Sequence, residues 1–153
     1  MTDTSFEILL VEDDANDEML TLHALKKHKL ANKIHVVRDG AEALEFVFCT
    51  GAYAGRKSEN PRMILLDINL PLVNGIEVLR RIRADPRTRS TPVVMLTSSQ
   101  EDRDIFESQK LSVNSYIVKP VDFDQLTVSA RELGYYWLLV NYPPLEVVEL
   151  ALV

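Results

Sequence analysis

The feature that most restricts what this chain can fold into is a series of short, nearly unbroken apolar runs separated by stretches of helical spacing. The runs are Ile8–Val11, Ile34–Val37, Met63–Leu66, Val93–Leu96 and Tyr116–Val118. A strand with one wet face alternates apolar and polar residues, whereas a continuous apolar run needs cover on both faces. Four of the runs are continuous in this sense. His35 interrupts the run at Ile34–Val37, as suits a less buried edge strand. Between the runs, Leu22 with Leu25, Leu44 with Val47, and Leu79 with Ile82 fall at helical spacing. Asp39 before Glu42, Ser99 before Asp102, and Asp122 before Gln125 carry the spacing of a helix start. Strand and helix alternating five times predict an α/β domain with a parallel sheet.

A chain of 153 residues suits one domain that buries a core without staples. Its net charge of −6, from 17 basic and 23 acidic residues, argues against direct nucleic-acid binding, which needs a basic footprint. The start, MTDTSFEILLVEDD, has no basic segment, and no apolar run approaches the ~20 residues of a membrane span. A cytoplasmic protein with no membrane partner is expected. The lone Cys49 excludes an internal disulfide and a multi-cysteine zinc site, and in ALEFVFCTG it reads as a small core residue. His23, His28 and His35 have no second ligand at metal spacing and are not read as phosphotransfer residues. The segment 50–62, TGAYAGRKSENPR, exceeds the ~2–6 residues usual for such a connection and reads as a surface excursion with scope for binding.

Ligands of parallel α/β sheets bind beyond the carboxyl ends of the strands. At those ends this chain delivers Glu12, Asp13 and Asp14, then Asp67, then Thr97 with Ser98 and Ser99, then Lys119 with Pro120. Crowded carboxylates repel unless a cation or protons neutralise them, and hard oxygen donors suit Mg²⁺. A carboxylate facing such an ion can attack phosphorus and form an aspartyl phosphate. Lys119 would offset charge on the phosphoryl oxygens, and Thr97 would donate a hydrogen bond to them. Each residue alone has a plain explanation, such as an acidic helix start for EDD. Their arrival at the ends of the right strands together favours the chemistry.

The motifs ILLVEDD, MILLDINLPLVNG, VVMLTSS and YIVKP resemble those of the receiver domain of two-component response regulators, over residues 6 to 133. The resemblance implies a flavodoxin-like (βα)5 doubly wound sheet of strand order 2-1-3-4-5, within a domain spanning residues 1–140. It implies Asp67 as phosphoacceptor for a sensor histidine kinase. It also implies Asp13 as a direct Mg²⁺ ligand, Glu12 acting through water, and the Asn69 backbone carbonyl completing the shell. Thr97 and Tyr116 take the switch positions and Lys119 that of the family's lysine. Asp14 reads as part of the following helix start. The 50–62 loop, VNSYIVKPVDFDQL and YYWLLVNYPP are further similar to small response regulators paired with cyanobacterial and other bacterial phytochromes, which lack a DNA-binding output domain. Three other readings stay in view: a flavodoxin-like FMN carrier, whose phosphate EDD after the first strand would repel, a phosphorylation-independent binding module of receiver type, and a phosphatase of the haloacid-dehalogenase type. The last needs an acid where Asn69 stands.

Residues 141–153 form a C-terminal extension. Before it, six consecutive apolar or aromatic residues run from Tyr135 to Val140, and a helix cannot direct all of them into one core. Tyr135, Tyr136, Trp137, Leu138 and Leu139, with Tyr142 beyond them, are therefore expected to build a homodimer interface. The competing expectation is a tail folded back on its own domain.

Overall fold

The computed structural model describes residues 7–28, 33–56, 60–98, 113, 115–132 and 146–149. In chain order the elements are β1 (Glu7–Val11), α1 (Ala15–His28), β2 (Lys33–Val37), α2 (Gly40–Phe48), a 3₁₀ turn (Gly51–Tyr53), β3 (Met63–Asp67), α3 (Gly75–Ala84), β4 (Val93–Thr97), β5 (Ser115–Val118), α4 (Phe123–Glu132) and β6 (Glu146–Glu149). The strands lie in the order β5-β4-β3-β1-β2-β6, and every pairing is parallel. The first five thus follow the expected 2-1-3-4-5 order.

Side-chain alternation divides the core in two. Ile8, Leu10, Ile34, Val36, Met63, Leu65, Val94 and Leu96 pack with Leu22 and Leu25 of α1 and Leu126 of α4. Their neighbours Leu9, Val11, Val37, Ile64, Leu66, Val93 and Met95 pack on the other face with α2 and α3. This is why the strands read as unbroken apolar runs: each residue has a helix over it. Every residue of β3 and β4 is buried.

Two expectations need correction. β2 is not an outer edge, because Lys33 to Val36 pair with Glu146 to Glu149 of β6. Cys49 is half-buried rather than a core residue. It closes α2 in a left-handed conformation (φ 55°), its N–H directed at Glu45 and Phe46 carbonyls. The described part of the excursion after α2 folds back on that helix. Tyr53 donates its hydroxyl proton to Glu42 Oε2 at 2.6 Å, and Arg56 lies 4.1 Å over the Phe46 ring.

Two glycines let the chain after β3 approach closely. Gly75 donates its N–H to Ile68 O at 2.9 Å, and a Cβ there would collide with the Asp67 carbonyl. Gly40 donates to Pro71 O at 3.3 Å, and a Cβ there would collide with the Val73 carbonyl. The loop behind Asp67 is thus held by the starts of two helices. The helix starts at α2 and α4 follow the expected spacing: Glu42 N donates to Asp39 Oδ1 at 2.6 Å and Gln125 N to Asp122 Oδ1 at 2.9 Å. The pair Ser99 and Asp102 lies outside the described residues.

Candidate functional site

The carboxyl ends of β1, β3, β4 and β5 meet at one rim. Glu12 continues β1 by one step, donating its N–H to Val37 O at 3.0 Å, and this draws its side chain into full burial. Asp67 closes β3 and is 3 % exposed. Asp13 stands exposed beside them. Side-chain oxygens of Glu12, Asp13 and Asp67 all lie within 4.8 Å of one another.

Lys119 arrives from the end of β5, where its N–H bonds Thr97 O at 2.7 Å. Its ammonium lies 2.7 Å from Asp67 Oδ2, 2.7 Å from Glu12 Oε1 and 3.0 Å from Asp17 Oδ2. The Glu12 approach is an ion pair without hydrogen-bond geometry, so Oε1 is buried with no donor aimed at it. Burial, and then the hydrogen bond with Asp67, push the Glu12 carboxyl up to about 8. Burial pulls the Lys119 ammonium the other way, but its contacts with Asp67, Glu12 and Asp17 outweigh this and raise its pKa. Among the described residues, the cleft therefore holds more acid than the Lys119 ammonium balances. A proton on Glu12 or a divalent cation on the acid cluster would restore the balance, and hard carboxylate donors suit such an ion.

Asn69 is exposed, and its N–H donates to Asp67 Oδ1 at 3.0 Å, fixing the carboxylate's orientation. Thr97 is fully buried at the end of β4. Strand alternation puts it on the same face as Met95, whose partner across the ladder is Tyr116. Tyr116 is half-buried and packs against the layer of α2 and α3. Asp14 has the helix-start role expected of it, accepting the Asp17 N–H at 2.9 Å. The expected interface residues Tyr135, Tyr136, Trp137, Leu138, Leu139 and Tyr142 lie outside the described residues. Asp17 was not among the expected site residues. In sequence it is an ordinary acid in a helix's first turn, and its contact with Lys119 bridges 102 positions.

A five-stranded parallel order with an acid cluster and a lysine at one rim defines the receiver class. The chain matches the response regulator receiver domain over residues 8–131 and belongs to that family as a two-component response regulator. Among curated relatives, it is 40 % identical over 139 residues to the probable methanogenesis regulatory protein FilR2 of Methanothrix harundinacea (strain 6Ac), covering 91 % of this chain and 88 % of that one. It is 37 % identical over 131 residues to the response regulator Rcp1 of Synechocystis sp., covering 86 % of this chain and 88 % of Rcp1. The crystal structure of the Mn²⁺-bound form of Rcp1 superimposes with a TM-score of 0.69 at 36 % identity, covering 90 % of this chain and 98 % of that one. The solved bacteriophytochrome response regulator RtBRR gives a TM-score of 0.86 at 50 % identity, over 92 % of this chain and 85 % of RtBRR. Among the described residues no helix is long and apolar enough to cross a membrane.

Proposed function

We propose that Asp67 is the phosphoacceptor of this response regulator, and that a sensor histidine kinase of the phytochrome kind is its donor. The observation that carries the reading is the meeting of Lys119 Nζ with Asp67 Oδ2 at 2.7 Å beside the Glu12–Asp13–Asp67 oxygen cluster. In the transfer, an Asp67 carboxylate oxygen forms a bond to phosphorus as the donor's phosphorus–nitrogen bond breaks, and the released imidazole nitrogen takes up a proton. Lys119 offsets the charge on the phosphoryl oxygens. Glu12, Asp13, Asp67 and the Asn69 carbonyl are the groups to hold Mg²⁺, which supplies further charge neutralisation at those oxygens. The unbalanced acidity around Glu12 supports a cation there, and Rcp1 is a relative with a Mn²⁺-bound structure. The likeness to RtBRR supports a phytochrome partner.

Intact mass after incubation with acetyl phosphate tests the reading. One phosphoryl group should add in Mg²⁺, none with chelator present, and none at this site in Asp67→Asn. Uptake indifferent to chelator, or unchanged in Asp67→Asn, would overturn it and favour a phosphorylation-independent module. Asn69 cannot act as the general acid of a haloacid-dehalogenase-type phosphatase, so phosphate transfer to bulk substrates is not expected.

The shared face of Thr97 and Tyr116 supports a coupled switch that signals phosphorylation to partners. Thr97→Ala should still accept phosphate yet lose most of the phosphorylation-dependent change in partner affinity. Self-association through Tyr135, Tyr136, Trp137, Leu138, Leu139 and Tyr142 rests on the run of adjacent apolar residues. Light scattering that finds a monomer at tens of micromolar, roughly the range where weak dimers dissociate, would remove it.

A further inference from the structure

Lys119 has three N–H donors and stands among three carboxylates, Glu12, Asp67 and Asp17. Glu12 and Asp67 both belong to the oxygen cluster at the rim; Asp17 does not. It comes from the first turn of α1. Its backbone is fixed by its own N–H bond to Asp14 Oδ1 at 2.9 Å. The next residue, Glu18, is itself buried and pairs with Arg38 at 3.1 Å, tying that turn to the end of β2. Thr21, Leu22 and Leu25 seat the following turns in the core. Asp17 is thus a rigidly mounted acceptor facing a lysine.

We propose that Asp17 is a positioning residue, which holds the Lys119 ammonium over Asp67 throughout phosphoryl transfer. The inference rests on Asp67 being the phosphoacceptor. During transfer the oxygens of Asp67 and Glu12 turn to phosphorus and to the cation, so their contacts with Lys119 weaken. Asp17 has no such second task, so it remains as the lysine's standing partner. Without it, a long stem with several free torsions would have to be ordered at the moment of reaction. The pair is partly shielded from water, with the Lys119 side chain 14 % and that of Asp17 30 % exposed.

The test measures phosphorylation of the full chain by acetyl phosphate across a Mg²⁺ titration, read by intact mass, with circular dichroism confirming each fold. Asp17→Ala should lower the maximal rate about tenfold, with the Mg²⁺ concentration for half-maximal rate unchanged. Asp17→Asn keeps an acceptor oxygen in place and should recover most of that loss. In a Lys119→Ala background, Asp17→Ala should have no further effect, because a residue acting through Lys119 has nothing left to position. A maximal rate unaltered by Asp17→Ala, or the same proportional loss with and without Lys119, would overturn the inference. Should Asp17→Ala not fold, Asp17→Ser in both backgrounds decides by the same criterion. A wild-type chain that takes up no phosphoryl group would remove the Asp67 reading and this inference with it. A phosphorylated wild type indifferent to Asp17 removes this inference alone.

Discussion

Two of the buried glutamates, Glu42 and Glu12, have surroundings that differ in kind. Glu42, in α2, is 5 % exposed, and each of its oxygens receives a neutral donor: Oε1 the Arg38 N–H at 3.1 Å and Oε2 the Tyr53 hydroxyl at 2.6 Å. Glu12 is fully buried at the end of β1, where it meets the Lys119 ammonium at 2.7 Å and the Asp14 N–H at 3.3 Å but has the acids Asp13 and Asp67 beside it. The first carboxylate is closed by its own fold and serves to fasten the excursion after α2. The second has partners but stands among more acid than Lys119 balances, as befits a group beside a cation site. Burial alone does not separate structure from chemistry; what separates them is whether the fold balances the charge it buries.

The sharpest way to break this contrast is Glu12→Gln. It should cut Mg²⁺-dependent phosphorylation by more than about tenfold, yet raise the metal-free protein's denaturation midpoint by relieving the crowded acids. A destabilised Glu12→Gln protein would mean that Glu12 is as structural as its counterpart. Glu42→Ala should do the reverse. It strands the Arg38 N–H and the Tyr53 hydroxyl, costing about 2–3 kcal/mol in urea unfolding, with phosphorylation by acetyl phosphate unchanged.

His35 gives a third comparison, because it packs on the Glu42 side, its ring 5.0 Å from Phe46. Burial, then the charges of Lys33 and Arg56, lower its pKa from 6.5 to about 4. The unfolded chain therefore binds this proton more tightly than the folded one. Stability present above pH 6.5 is lost as the pH falls toward 4, with Glu7 at 3.7 Å partly offsetting the loss. From about pH 7 to about pH 5, wild type should lose on the order of 1–2 kcal/mol more than His35→Gln. Equal losses would show that His35 is not held neutral. The smallest effect is expected from Tyr53→Phe, which removes one of Glu42's two donors. Its cost should be about 1 kcal/mol, seen as a lowered melting temperature with no change in the acid cleft.

The first five strands are legible residue by residue, because cover by helices is written into a run such as Ile8–Val11. The acid cluster is legible for a related reason: parallel strands deliver their last residues to one rim, so Glu12, Asp67, Thr97 and Lys119 can be placed from strand ends alone. β6 is not legible in this way. The stretch around Glu146–Glu149 reads as an apolar strip, and what makes it a strand is the open edge of β2, far away in the chain. Asp17 escapes for the same reason, since its meaning lies in Lys119. Cys49 is misread because an apolar context hides a helix end, which its left-handed backbone reveals.

The clamps on Gly40 and Gly75 carry a mechanical consequence. Their N–H groups grip the carbonyls of Pro71 and Ile68, and neither position has room for a side chain. The stretch following Asp67 is thereby an abutment, stiff against displacement. Bulk added to that carboxylate would find little give beneath it, which leaves the side of the cleft toward Thr97, at the end of β4, and Lys119, just beyond β5. A domain built this way converts a local load into a directed one, because one wall of the cleft is braced.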